Sequence, residues 1–190
     1  MALLRKLAIL ILVGLAAPLG QVWAFASTDL EYQVKAAFLY NFAKFVEWPA
    51  DMFEGDGEAL VLCVAGDDPF GGSLDGVVRG ETLNGRRLVV HRTRDLSEIQ
   101  ECHVVFVPRS ERSRQERILD SVRHRGVLTV GETDGFLTGG GIIRFVLDQN
   151  KVRFDVNLEA AESSGLKLSS KLLRLARMVY GSQQGKGGMP

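Results

Sequence analysis

A glycine-rich segment, residues 66–72 (GDDPFGG), is the part of the chain that most resembles a ligand-binding loop. It follows an apolar run typical of a buried strand, and a glycine loop between a strand and a helix can direct backbone N–H groups at a phosphate. The segment lacks the GxGxxG and GK[ST] patterns, however, and the carboxylates of Asp67 and Asp68 would repel an anion. We therefore interpret it as a structural turn, and we interpret the glycines at 139–141 as a flexible loop.

Catalytic and metal-binding patterns are absent from the sequence. It contains no GxSxG, HExxH or CxxC motif, and His91, His103 and His124 are too scattered to suggest a metal site. Enzymatic chemistry would require a nucleophile with its base, or a set of metal ligands. The sequence thus predicts a protein that is not an enzyme and that uses no metal or other cofactor. Its formal net charge of zero also argues against nucleic-acid binding, which normally shows a basic patch.

The first 26 residues have the pattern of an export signal. Arg5 and Lys6 precede an apolar run over residues 7–19, and residues 24–26 (AFA) form an A-x-A cleavage pattern. We expect cleavage after Ala26 and an exported mature chain. The alternative is an uncleaved anchor, because residues 7–26 are just long enough to span a bilayer.

Both cysteines lie in the exported part of the chain. Cys63 is inside one predicted strand and Cys102 immediately precedes another. An even number of cysteines in an oxidising compartment favours a disulfide, which would stabilise the fold by about 4 kcal/mol in the chain-entropy model. Two buried free thiols are the alternative.

Residues 34–49 (VKAAFLYNFAKFVEWP) predict an aromatic helix with very little polar surface. We expect this helix to begin at a capping box formed by Thr28 and Glu31 and to end before Pro49. A helical projection gives two apolar stripes: Leu30, Val34, Ala37, Phe38, Asn41, Phe42, Phe45 and Trp48 form the first, and Tyr32, Ala36, Leu39, Ala43 and Val46 form the second. One stripe would suffice for a core. The other is either further internal packing or a surface for a dimer or a partner, and we expect the Asn41 amide to bond backbone or a partner.

The middle of the chain alternates strand and helix. Strands are predicted at 60–66, 86–92, 103–108 and 127–131, with helical segments between them. This alternation predicts four parallel strands in the spatial order 2-1-3-4, joined by right-handed crossovers. Residues 141–157 follow as an antiparallel hairpin that turns at Gln149 and Asn150.

The C-terminal part is predicted to be helical. A short helix over residues 158–164 ends at Gly165, and Ser169 or Ser170 caps a final helix over residues 171–180 that exposes Arg177. We expect residues 181–190 to be a disordered tail. The predicted fold is thus a single three-layer α/β domain over residues 27–180, a mixed six-stranded sheet with helices on both faces.

A candidate small-ligand site lies near the end of the hairpin. Asp155, Asn157, Lys167, Ser169 and Ser170 are polar residues clustered in sequence between apolar elements. A mostly apolar pocket needs a few such groups to orient its ligand. The alternative is that they belong to a strand edge and a helix cap.

Five segments, taken in order, resemble the YfiR family of small periplasmic proteins. They are VKAAFLYNFAKFVEWP, LVLCVAGDDPFGGSLD, CHVVFVP, GVLTVGE and GGGIIRFVLDQNKVRFDVNLEAAESSGLKLSSKLLRLARMV, and together they extend over most of the chain. The resemblance implies a periplasmic α/β domain that is often dimeric and lacks enzymatic activity. It also implies a disulfide between Cys63 and Cys102.

The resemblance further implies a regulatory role. The best-understood relatives repress an inner-membrane diguanylate cyclase through its periplasmic sensor, and an outer-membrane lipoprotein relieves that repression. We therefore expect a binding protein that lowers cyclic-di-GMP signalling and biofilm formation and that, like those relatives, is a homodimer. As candidate partner or dimer residues we select Phe38, Tyr40, Phe45, Trp48 and Phe53. A periplasmic binder of a small, nucleotide-like ligand is the alternative.

Overall fold

The computed structural model describes residues 20–49, 52–53, 55 and 57–181. The chain forms two compact units, Met1–Glu31 and Tyr32–Pro190, and the sheet lies in the second. The basic start and apolar run of the predicted export signal fall outside the described residues, as does the predicted tail after Gly181. Within the described part of the chain, no helix combines the length and the apolar character needed to cross a bilayer.

The first helix, α1, covers Gly20–Lys44, and its bounds differ from the prediction at both ends. Thr28 lies inside the helix, so the expected capping box is wrong: helical residues precede Thr28, and the N–H groups after it have intrahelical acceptors. The helix ends at Lys44, and the residues that follow it pair with another strand. Val46–Glu47 (β1) pairs antiparallel with Lys167–Leu168 (β9), and the Ser169 N–H donates to the Phe45 carbonyl at 2.9 Å.

The remaining elements alternate as predicted through the middle of the chain. In chain order they are β2 (Leu60–Ala65), α2 (Ser73–Val78), β3 (Thr82–Leu83), β4 (Arg86–Thr93), α3 (Leu96–Ile99), β5 (Val104–Val107), α4 (Gln115–Val122), β6 (Leu128–Gly131), β7 (Ile143–Asp148), β8 (Lys151–Asn157), α5 (Leu158–Ser163), α6 (Ser170–Leu175) and β10 (Met178–Tyr180).

The main sheet has the order β10-β8-β7-β6-β5-β2-β4-β3. Its central six strands confirm the predicted order, with β4, β2, β5 and β6 parallel and the β7–β8 hairpin antiparallel. The sheet has eight strands rather than six, since a short strand is added at each edge. β3 pairs antiparallel with β4, and β10 pairs parallel with β8.

The strand β10 replaces the second half of the predicted final helix. The helix α6 stops at Leu175, and the Arg177 N–H then donates to the Phe154 carbonyl at 2.8 Å. The Arg177 side chain, predicted to face outward only, pairs with the buried carboxylate of Asp155 at 2.7 Å. A continued helix would forgo both contacts, so tertiary pairing overrides the local helical pattern.

Apolar side chains are buried on both faces of the sheet, which confirms the three-layer architecture. On one face, residues of α1, α2, α5 and α6 pack with the larger core cluster, which includes Leu39, Phe42 and Phe106. On the other face, Ile99 of α3 and Ile118 and Leu119 of α4 surround the cysteines.

Candidate functional site

The helix α1 buries its second apolar stripe and leaves part of its first stripe accessible. Ala36, Leu39, Ala43 and Val46 are at most 5% exposed, whereas Val34 on the first stripe is 38% exposed. Phe42 of the first stripe is buried in the core, and Phe38, Phe45 and Trp48 pack against that core while only partly buried. The Asn41 amide donates to the Ala37 carbonyl at 2.8 Å, which confirms the expected backbone bond. The Asn41 side chain therefore satisfies this donor within the helix itself.

Three of the five selected aromatic residues lie along α1 or directly after it. Phe38 is half-buried, with its ring centroid 5.6 Å from that of Phe154, so it lies at the boundary of the core. The Tyr40 hydroxyl donates to the Glu81 carboxylate, and this hydrogen bond raises the pKa of Tyr40. Phe45 is half-buried and lies under the Lys171 ammonium, 5.0 Å from its ring centroid.

The other two aromatic residues, Trp48 and Phe53, form a corner at the amino-terminal end of the parallel strands. The Phe53 ring stacks on His103 with centroids 4.5 Å apart, and the Arg86 guanidinium covers it at 4.0 Å. Burial lowers the pKa of His103, which therefore favours its neutral form. Trp48 meets Phe53 edge-on at 6.4 Å.

A cavity of about 250 Å³ opens at this aromatic corner. Its lining residues are Val46, Glu47, Trp48, Pro49, Phe53, Leu60, Leu83, Asn84 and Arg86. The indole N–H of Trp48 is buried and has no hydrogen-bond partner among the described residues. Because Trp N–H groups usually find an acceptor when buried, this donor could be satisfied by a group that enters the cavity.

A buried ion pair that sequence reasoning missed lies within the second unit, between residue 35 of α1 and the residue that follows β6. The Lys35 ammonium, on a residue that is 1% exposed, donates to the Glu132 carboxylate at 2.5 Å. Glu132 follows β6 and also accepts from the Tyr32 hydroxyl at 3.1 Å and the Arg109 backbone N–H at 3.0 Å. The position of Lys35 beside Ala36 and Leu39, which belong to the second stripe, is the sequence feature that could have predicted its burial.

The five candidate ligand-binding residues have several separate structural roles. Asp155 is fully buried and holds Arg144 and Arg177; burial raises its pKa, but the hydrogen bonds from Arg177 and Arg144 outweigh this, and the pKa lies below its usual value. Asn157 and Ser169 cap α5 and α6 by accepting from the Ala160 and Leu172 N–H groups.

The last two of these five residues lie at or next to those caps. Ser170 accepts from Arg174, and Lys167 is exposed in β9 opposite Glu47. Of the five, Asn157 alone lines the cavity of about 210 Å³ between α4 and α5.

The structure contains the predicted disulfide between Cys63 and Cys102. Their Cα atoms are 6.0 Å apart, and both residues are buried in the smaller core cluster. The bridge ties β2 to the segment that leads into β5, its neighbour in the sheet. It therefore strengthens the parallel pairing at the centre of the sheet.

The carboxylates of the glycine-rich loop after β2 form ion pairs with arginines. Asp67 contacts Arg94, and Asp68 accepts from Arg92 at 2.6 Å and from the Phe70 N–H at 2.7 Å. The Glu111 side chain packs directly against Gly66, leaving no room for a Cβ there. These contacts support the interpretation of the loop as a structural turn. Among the described residues, no group of His, Cys, Asp and Glu side chains could hold a metal ion.

The fold and the candidate site define an α/β protein that presents a half-exposed aromatic helix and an aromatic corner, features suited to binding another molecule. The chain belongs to the YfiR/HmsC-like family, whose model matches residues 32–177. In general terms this family is periplasmic and regulatory rather than catalytic.

Two solved structures share the fold at low sequence identity. One is a conserved domain protein from Vibrio cholerae O1 biovar El Tor str. N16961, with 11% identity and a TM-score of 0.52. The other is described as an ABC domain in complex with L-Trp from Streptococcus pneumonia, with 10% identity and a TM-score of 0.51. Each match covers 78% of this chain and 60% of the other chain. At these identities the likeness concerns the fold alone.

Proposed function

We propose that this protein is exported to the periplasm and there represses an inner-membrane diguanylate cyclase by binding its periplasmic sensor region. Cyclic-di-GMP output then falls, and with it attachment and biofilm formation. Family membership over residues 32–177 supports the general role. Cleavage after Ala26, a homodimeric state and relief by an outer-membrane lipoprotein are parts of the same proposal.

At the level of residues, the proposed binding site for the sensor is the aromatic corner formed by Trp48 and Phe53. Trp48 and Phe53 line a cavity of about 250 Å³, and aromatic side chains contribute much of the binding energy at protein interfaces. A partner side chain with a hydrogen-bond acceptor beside it would fill the cavity and satisfy the Trp48 N–H, which has no partner among the described residues. Phe38 on α1 and Phe45 directly after it, both half-buried, are further candidate contacts.

Repression requires that the protein bind the inactive state of the sensor more tightly than the active state. A protein that bound both states with equal affinity would not change the equilibrium between the active and inactive sensor. A preference of about 100-fold corresponds to ~2.7 kcal/mol, which one or two buried aromatic anchors can supply.

Binding of a small ligand in the same cavity is the second candidate function. Pockets for drug-sized ligands usually enclose about 300–1,000 Å³. The volume at the corner, about 250 Å³, is below that range and suits one inserted side chain better than a nucleotide-like molecule. This comparison favours the protein partner.

The test is cyclic-di-GMP measurement in a strain without the gene, complemented with variants. Deletion should raise cyclic-di-GMP, and removal of the cyclase as well should abolish the rise. Wild-type protein and Leu147→Ala, a control at an exposed apolar residue outside the corner, should restore the low level, whereas Trp48→Ala should not. Immunoblotting of periplasmic fractions checks that the variants accumulate equally. An unchanged level in the single deletion would contradict the repressor role, and full complementation by Trp48→Ala would contradict the corner as its site.

A further inference from the structure

The cavity at the aromatic corner has a hydrogen-bond donor without an acceptor in its wall. Trp48 lines the cavity, and its indole N–H is buried with no partner among the described residues. Burial of an N–H group without an acceptor is unfavourable, so such groups are rare in native proteins. An occupant that offers an acceptor to this N–H is therefore favoured over a purely apolar one.

Arg86 brings a positive charge to the same cavity. Its guanidinium lies over the Phe53 ring at 4.0 Å, and its Nη1 donates to the Gly55 and Glu58 carbonyls at 2.7 and 3.3 Å. These contacts hold the guanidinium in place but do not neutralise it, because backbone carbonyls carry no net charge. In the described part of the chain, no carboxylate lies within ion-pair distance of Arg86.

The acidic side chains near the cavity have interactions of their own. Glu47 also lines the cavity, but it lies directly opposite Lys167 in the β1–β9 pair, and opposite charges in such cross-strand positions attract. Burial lowers the pKa of His103, and the negative charge of Glu58 opposes this, so Glu58 acts on the ring beneath Phe53. An incoming carboxylate can therefore pair with Arg86.

We propose that the cavity receives an acidic side chain of the partner protein, glutamate or aspartate, whose carboxylate pairs with Arg86 and accepts a hydrogen bond from the Trp48 N–H. This inference rests on the proposed function, because it names the chemistry of the group that the sensor inserts at the aromatic corner. Hydrogen bonds between charged groups are shorter and stronger than those between neutral ones. The remaining wall includes Val46, Leu60 and Leu83, which suit the methylene stem of such a side chain.

Other side chains would leave a group in this cavity without a partner. An aliphatic or phenylalanine side chain offers no acceptor to the Trp48 N–H. A lysine or arginine side chain has donors only, and its charge would repel Arg86. A glutamine side chain can satisfy one donor through its oxygen, but its NH₂ group would add donors beside those of Arg86. The carboxylate, which only accepts, matches both residues.

The test uses two small probes that differ in charge, N-acetyl-glutamate α-methylamide and the corresponding glutamine derivative. Protein labelled with nitrogen-15 tryptophan is titrated with each probe at neutral pH, and the indole N–H signals are followed by NMR. The chain has two tryptophans, and the signal that Trp48→Phe removes belongs to Trp48. The glutamate probe should shift this signal downfield in a saturable manner and bind about tenfold more tightly than the glutamine probe.

Variants of two neighbouring arginines make the test specific. Arg86→Gln should remove the preference for the glutamate probe, and Arg86→Lys should keep part of it, because lysine retains the charge but not the planar guanidinium. Arg87→Gln is the matched control, since Arg87 is exposed and does not line the cavity; it should behave like the wild type. Circular dichroism and the Trp48 signal without probe confirm that each variant keeps its fold. The absence of a shift up to about 0.1 M probe, equal affinity for the two probes, or a preference that survives Arg86→Gln would each overturn the proposal.

The chemistry of the cavity and the role in signalling can fail separately. If the wild type prefers the glutamate probe while deletion of the gene leaves cyclic-di-GMP unchanged, the carboxylate site stands and the repressor role is overturned. If deletion raises cyclic-di-GMP and Arg86→Gln complements it fully, the repressor role stands and the acidic contact is overturned. Failure of Arg86→Gln to complement, with full complementation by Arg87→Gln, would support both.

Discussion

Replacing Lys35 by methionine tests whether the buried ion pair anchors α1. Methionine keeps most of the apolar stem but removes the ammonium, which leaves the Glu132 carboxylate, only 1% exposed, with the more distant Arg109 Nε, 4.0 Å away, as its remaining cation. Breaking one partner of a buried pair typically costs about 3–5 kcal/mol. Glu132 would keep its hydrogen bonds from Tyr32 and the Arg109 N–H, so we expect a loss near the lower limit, about 3 kcal/mol.

Urea unfolding of the purified protein, followed by circular dichroism, measures this loss. For a slope of about 2 kcal/mol/M the midpoint should fall by about 1.5 M. The control is Arg123→Met, which removes the exposed pair with Asp120, whose side chain is 57% exposed; it should cost less than about 1 kcal/mol. The double variant Lys35→Met/Glu132→Gln should regain part of the lost stability, because no unpaired charge stays buried and the amide oxygen can still accept from Tyr32 and the Arg109 N–H. A Lys35→Met loss no larger than that of the control would refute the reasoning.

Two further predictions concern the disulfide and the response to acid. Thiol labelling of denatured protein from the periplasm should find no free thiol, and Cys63→Ser should lower the unfolding free energy by about 4 kcal/mol, measured by denaturant titration; two labelled thiols would contradict the bridge. Hydrogen bonds from Arg177 and Arg144 hold the pKa of Asp155 below its usual value despite burial, so the stability it contributes is present above its unfolded pKa of about 3.9 and is lost as the pH falls through its folded pKa. Asp155→Asn should therefore be less stable than the wild type at pH 7, and the difference should shrink below about pH 4; a difference that is constant between pH 7 and pH 3 would be inconsistent with this assignment.

The order of the central strands could be predicted because it depends on local patterns and general rules of chain connection. Alternating apolar runs and helical segments leave few arrangements once crossovers must be right-handed. The hairpin was predictable from Gln149 and Asn150, which both adopt positive φ angles, 50° and 59°. Cys63 was predicted in one strand and Cys102 immediately before its neighbour, and β2 and β5 do pair.

The short edge elements were mispredicted because their partners are distant in sequence. Residues 176–180 continue a helical pattern, yet Arg177 and β10 gain more by pairing with Asp155 and β8. Val46–Glu47 likewise left the helix to pair with Lys167–Leu168, more than a hundred residues away. Local propensity cannot predict these segments, because the hydrogen bonds that hold them form with strands distant in sequence.

The sequence by itself determined that α1 carries more apolar surface than one core needs, that the cysteines suit a disulfide and that the chain resembles a family of periplasmic regulators. Which stripe of α1 is buried was decided only by the tertiary structure, because both stripes are apolar and a helical projection treats them alike. The sheet brings Phe145 and Phe154 under Phe42 and places Glu132 where Lys35 can reach it. Those long-range contacts orient the helix so that its second stripe is buried, whereas its first stripe is buried at Phe42 and accessible at Val34.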